Sequence, residues 1–152
     1  MRTVLDTNIL ACAVASPNGP AAEVFERVSA DHVLVVSLEL LAEVARVLSY
    51  DRLRRLHHLS ESAIAAFVAS IEAGSLIVPL PIPLPRVVPD DSDDDVLVAT
   101  AVVGHANVLC TRNRHLFHED VVAYCSRYAI DVLDDVEVLA RLRDSQHRSP
   151  DR

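Results

Sequence analysis

His32-Val33-Leu34-Val35-Val36-Ser37-Leu38-Glu39-Leu40-Leu41-Ala42-Glu43 changes its hydrophobic period midway, and that change decides the fold. Residues 33–36 are a continuous apolar run, mostly β-branched, which suits a strand buried on both faces. After Ser37, a residue type that caps helices, the apolar positions Leu38, Leu41, Ala42, Ala45 and Leu48 recur at helical spacing. A buried strand feeding a capped helix is the repeating unit of a parallel α/β sheet.

The same alternation extends in both directions. Residues 2–5 read as a short strand ending at Asp6, and Pro20 to about Ala30 as a helix. A short basic helix or turn is expected around Arg52 to His57. Ser60 then caps a helix running to Ala73, with Gly74 as its stop. Further strands are expected at Leu76–Val78, Val108–Cys110 and Ile130–Leu133. Further helices run from about Asp93 to Gly104, Glu119 to Tyr128 and Val136 to Leu142. Five prolines between Pro79 and Pro89 make an extended surface connection. The expectation is one α/β domain over residues 1–143 around a parallel sheet of four or five strands, and a frayed polar tail over 144–152.

Composition agrees with a single packed domain: 152 residues, 51% of them hydrophobic. No apolar run reaches the roughly 18 residues of a membrane span. The N-terminus meets a charge at Asp6 too early for a secretory signal, so a cytoplasmic protein without a membrane partner is expected. Cys12, Cys110 and Cys125 are scattered among apolar residues with no paired spacing, which suggests neither a disulfide framework nor a zinc knuckle. The formal net charge of −8 argues against holding nucleic acid by bulk electrostatics. The acids are clustered, most densely in Asp90, Asp91, Asp93, Asp94 and Asp95.

Ligands of parallel α/β sheets gather beyond the carboxyl ends of the strands. Asp6, Ser37 and Thr111-Arg112-Asn113 all follow strands, so they are expected to converge at one edge. Asp6-Thr7-Asn8 equally suits a turn or helix cap. Glu43 lies at the margin of its helix's apolar stripe, and Glu39 shares that side, so spacing alone does not choose between them. The helix dipole accounts for one or two acids at the Asp-rich helix start, with Ser92-x-x-Asp95 resembling a capping box. The remaining acids repel one another unless a cation relieves them. His115, His118 and Glu119 have spacing that suits zinc, but surface histidines are the favoured account.

Together these features are more specific. A strand ending in Asp6-Thr7-Asn8, Ser37 followed six residues later by Glu43, an Asp-rich start before Val96-Leu97-Val98-Ala99-Thr100-Ala101, and a strand ending in Thr111-Arg112-Asn113 resemble the PIN-domain family. The resemblance runs from Thr3 to about Leu142 and looks closest to the VapC-like bacterial proteins described as toxins of toxin–antitoxin pairs. It implies a three-layer α/β/α fold and a ribonuclease dependent on Mg²⁺ or Mn²⁺. The family's strand-one aspartate corresponds to Asp6, its helix glutamate to Glu43, and its third acid to Asp94, with Asp95 the alternative by a one-residue shift. The fourth acid's position holds Asn113, a departure that removes a charge. In this reading Asp6 and Asp94 hold the metal, Glu43 orients or deprotonates a water, and Asn113 supports the site. Thr7, Asn8, Ser37 and Thr111 surround them, and Arg112, Arg114, Arg52, Arg54 and Arg55 guide the RNA. Such metals prefer oxygen ligands, activate water, and offset charge growing on phosphoryl oxygens.

The resemblance also implies a homodimer and an inhibitory antitoxin. Apolar residues on two neighbouring helices, among them Leu41, Val47, Phe67 and Val68, are expected to leave a patch over for an interface. Two alternatives compete. A phosphohydrolase or phospho-receiver domain uses a lysine near the phosphoryl group, and all fourteen basic residues here are arginine. A catalytically weak or inactive PIN-like module that binds RNA or protein draws its support from Asn113.

Overall fold

The computed structural model describes residues 1–89 and 91–148. Five strands, β1 (Arg2–Leu5), β2 (Val33–Val36), β3 (Leu76–Ile77), β4 (Val108–Cys110) and β5 (Asp131–Leu133), form one sheet in the order β3-β2-β1-β4-β5. Every pairing is parallel. Among the described residues eight α-helices surround the sheet: α1 (Thr7–Ala15), α2 (Pro20–Asp31), α3 (Leu38–Leu48), α4 (Asp51–His57), α5 (Glu61–Gly74), α6 (Asp94–Val103), α7 (Glu119–Ser126) and α8 (Asp135–His147). A 3-10 turn, Arg114–Phe117, follows β4.

The chain steps from β1 outward to β2 and β3, then crosses back over the centre to β4. Parallel crossovers are right-handed, so that reversal puts α6 on the face opposite the helices linking β1, β2 and β3. Packing agrees, since α1 rests on α2 and α3 while α6 lies against β1, β2 and β4. The result is the expected three-layer α/β/α arrangement. β1 and β4 flank the point of reversal, and the crevice beyond their carboxyl ends is where such folds bind ligands.

β1 is central and its Thr3, Val4 and Leu5 are fully buried. α6 approaches the sheet closely at its end, where a Cβ on Gly104 would lie 2.3 Å from Val35 Cγ1. Glycine is required there by proximity.

Several expected boundaries shift. α1 was not expected at all; it starts directly after β1, with the Asp6 carbonyl accepting from Ile9 and Leu10 N–H at 3.0 and 3.1 Å. Gly74 is the last residue of α5, not a stop beyond it, and Ser75 closes the helix. The Ser92–Asp95 capping box does not form: Asp93 precedes α6 and makes no side-chain cap. α8 runs through Asp144 to His147, so that part of the expected frayed tail is helical. Its start is secured by a capping box between Asp134 and Glu137. Residues 149–152 and Asp90 lie outside the described residues.

Candidate active site

Asp6 leaves the sheet at its centre. Its backbone N–H donates to the Cys110 carbonyl at 2.9 Å, tying the ends of β1 and β4. The Thr111 hydroxyl donates to Asp6 Oδ2 at 2.6 Å and also accepts from Asn113 N–H at 2.9 Å. Burial raises the Asp6 carboxyl above its ordinary pKa, against the opposing pull of Thr111 and the Thr7 and Asn8 amides. Thr7 is buried, and its hydroxyl has no hydrogen-bond partner among the described residues. Asn8 Oδ1 accepts from Arg112 N–H at 3.5 Å.

The second acid stands on α3. Ser37 caps that helix by accepting from Leu40 N–H at 3.2 Å, and its hydroxyl lies 2.9 Å from Thr100 Oγ1 of α6. Both hydroxyls are fully buried, so the pair joins the helices that carry Glu43 and Asp94. Glu43 is partly buried and faces Asp93 and Val96 across a concavity also lined by Glu39, Ala42 and Arg46. Burial raises its pKa first; Asp6, Asp93 and Asp91 add to the rise, and Arg46 opposes it. Glu39 is exposed at the rim of the same concavity.

At the start of α6, burial lifts the Asp94 carboxyl to about 6, reinforced by the charges of Asp91 and Asp6 and opposed by Asn113 and His115. Asn113 Nδ2 donates to Asp94 Oδ2 at 2.9 Å, while its Oδ1 accepts from His115 N–H at 3.1 Å. Both ends of the amide are therefore engaged, and Asn113 braces Asp94 and the turn that bears His115. Asp91, Asp94 and His115 each offer one ligand atom, all within 4.8 Å of one another.

Asp95 is a different matter. It is 1% exposed, and its Oδ1 accepts from both Val87 and Val88 N–H at 2.8 Å. Arg86 Nε lies 3.0 Å from its Oδ2, close enough for an ion pair. This carboxylate anchors the proline-rich strap: two backbone donors hold Oδ1 and Arg86 stands beside Oδ2, which gives no support to Asp95 as the metal ligand.

The arginines separate as well. Arg112 pairs with the buried Asp135 at the start of α8, with Nε 2.9 Å from Oδ1 and Nη2 on Oδ2. Its guanidinium therefore holds the β4 end to α8, and this pairing gives no support to the expectation that it guides RNA. Arg114 is exposed on the 3-10 turn. Arg54 and Arg55 of α4 line a separate concavity with Asp51 and with His58, which follows the helix. Arg52 is exposed on the same helix, and no ion pair links these three to the acids among the described residues. Of the zinc-like trio, His118 caps α7 by accepting from Asp120 N–H at 3.3 Å, so only His115 reaches the acids.

Sequence reasoning passed over Thr100, and named Asp91 only within the acidic cluster and His115 only within the zinc-like trio. Thr100 was findable: a hydroxyl inside Val96-Leu97-Val98-Ala99-Thr100-Ala101 is buried by its neighbours and needs a partner. His115 was not, because its approach to Asp94 depends on the turn that Asn113 caps.

The PIN domain family model matches residues 2–115, and this chain belongs to that family. The fold is similar to the crystal structure of VapBC2 from Rickettsia felis bound to a DNA fragment from their promoter. The match has a TM-score of 0.58 and 14% sequence identity, covering 88% of this chain and 98% of that one. No curated protein sequence matches the chain.

Proposed function

We propose that this chain is a divalent-metal-dependent endoribonuclease that cuts single-stranded RNA, and that it is the toxin half of a toxin–antitoxin pair. One observation carries the reading: at the carboxyl edge of the sheet the charge of Asp6 raises the pKa of both Glu43 on α3 and Asp94 on α6. Acids held together against their own repulsion make a site for a cation.

The donor set fits Mg²⁺ or Mn²⁺. Asp6 and Asp94 would hold the ion, with Asp91 and His115 within reach of Asp94. When bound, such an ion supplies an activated water and offsets charge on the phosphoryl oxygens. Glu43, whose raised pKa favours taking up a proton, orients the attacking water and accepts that proton. Thr111 fixes one Asp6 oxygen and Asn113 fixes one Asp94 oxygen, leaving the other oxygen of each for a ligand.

The fold's likeness to the VapBC2 structure supports an antitoxin partner, since that structure is a complex of two proteins on DNA. An inhibitor that offers arginine or lysine to these acids would pair with them directly. A second reading, a PIN module that binds without cutting, is favoured by the missing acid at Asn113.

Asp6→Asn keeps the volume and removes one charge. It is expected to abolish cleavage of a single-stranded RNA in Mn²⁺, with the thermal unfolding midpoint kept or raised. Cleavage as fast as the parent's, or undiminished in EDTA, overturns the metal mechanism. Calorimetric Mn²⁺ titration separates the second reading, because a non-cutting module gives no saturable binding.

A further inference from the structure

A cavity of about 230 Å³ opens beside the acids, lined by Val88, Pro89, Arg114, His115, Phe117 and His118. His115 belongs both to this cavity and to the group with Asp91 and Asp94, so the two places adjoin. Among the described residues no acid lines the cavity, although the chain as a whole carries a formal net charge of −8.

Both walls are built from below. Val88 and Pro89 belong to the strap, which the buried Asp95 grips by the Val87 and Val88 amides. The opposite wall is the 3-10 turn, capped by Asn113 and rooted by the fully buried Leu116. On that turn Phe117 is 38% exposed, and Arg114 makes no ion pair among the described residues. An accessible ring next to a free cation is the pairing that single-stranded nucleic acids use, with the base on the ring and the phosphate on the arginine.

We propose that this cavity is a nucleobase subsite: one base of the RNA strand crossing the acids leaves its stack, lies against Phe117, and sets its neighbouring phosphate beside Arg114. The inference rests on the ribonuclease reading above and adds to it where the strand is gripped. The size decides for one base, because the cavity is smaller than the roughly 300–1,000 Å³ of drug-sized ligand sites. The charge decides for RNA over an antitoxin segment. An inhibitor that neutralises the acids would bring cations, and Arg114 at the cavity repels them. The subsite also explains a preference for single strands, since a duplex does not release a base without paying for unpairing.

The test measures binding without cleavage, by fluorescence anisotropy of fluorescein-labelled octauridylate and octaadenylate on the full chain in EDTA. Phe117→Ala is expected to weaken binding about 5- to 30-fold, the lower part of the range for loss of one stacked base. Phe117→Trp is expected to keep or tighten it. Arg114→Gln is expected to weaken binding and flatten its salt dependence. Unchanged binding by Phe117→Ala and Arg114→Gln, in a parent that binds and cuts RNA, overturns the subsite and leaves the nuclease reading standing. Phe117→Ala that loosens only a co-purified antitoxin makes the cavity a protein site and overturns the proposal. A parent that neither binds nor cuts either RNA overturns both readings.

Discussion

Asp94 sits under opposed demands. It is partly buried among acids, and its pKa of about 6 stands above the ordinary 3.8. A raised carboxyl binds its proton more tightly in the folded state. Folding stability therefore falls as pH climbs from 3.8 through 6, and the cost persists in full above that. Asp94→Asn, which still accepts from Asn113, is expected to raise the unfolding midpoint in EDTA at pH 8. The gain should shrink at pH 5, where much of the parent's carboxyl is already protonated. Equal midpoints at pH 8 would show that the acids do not strain one another. Asn113 presents the inverse case. Asn113→Asp replaces the donor to Asp94 Oδ2 with a carboxylate, so the metal-free protein is expected to lose stability. Its Mn²⁺ affinity is expected to rise above about pH 6, with binding restoring the midpoint. Calorimetry at two pH values checks this, and unchanged affinity at both would place residue 113 outside the site.

At the scale of elements, the strap over residues 79–89 has few regular hydrogen bonds of its own and is gripped by one side chain. Asp95→Ala leaves the Val87 and Val88 amides without their acceptor. Unsatisfied buried groups cost about 1–3 kcal/mol each, so a loss of roughly 2–4 kcal/mol is expected by urea unfolding. Faster proteolysis within the strap is expected alongside. A loss under 0.5 kcal/mol would mean that Asp95 is not the anchor. The elements also show what periodicity can and cannot reveal. α3 was legible because Leu41 and Leu48 of the expected stripe are buried, although Leu38 and Ala42 prove exposed and Leu40 and Val44 are buried in their place. α1 was not, because none of its nine residues is exposed and an all-round buried helix has no stripe. Its run from Ile9 to Ala15 carries no charge to betray a face.

For the whole molecule, the apolar residues expected to be left over are consumed inside. Leu40, Leu41, Leu48, Ile64 and Ile71 are buried, while Val47, Phe67 and Val68 pack against the same core. Helices α3 and α5 rest on each other, so this patch gives no support to a dimer. Around these helices a different set stays exposed: Leu38, Tyr50 and Leu56, at 59%, 51% and 60%, on α3, α4 and the link between them. If the chain dimerises as the toxin reading implies, light scattering at tens of micromolar is expected to give twice the 16.6 kDa chain mass. A strict monomer there would remove the dimer. No helix among the described residues is long and apolar enough to cross a membrane.

Sequence alone determined the alternation of strands and helices, and hence the parallel sheet, because buried strands and amphipathic helices have different hydrophobic periods. It also placed acids after β1, inside α3 and at the start of α6. Only the tertiary structure decided which of those acids share a field. Asp94 and Asp95 are neighbours in the chain with nearly the same local chemistry. One helical step turns the first toward Asp6, Asn113 and His115, and the second toward the strap. Arg112 and Arg114 divide likewise, one spent on Asp135 and the other left on an open cavity wall. Direction is a property of packing: a residue's type says what it can do, and the neighbours that bury it settle what it faces.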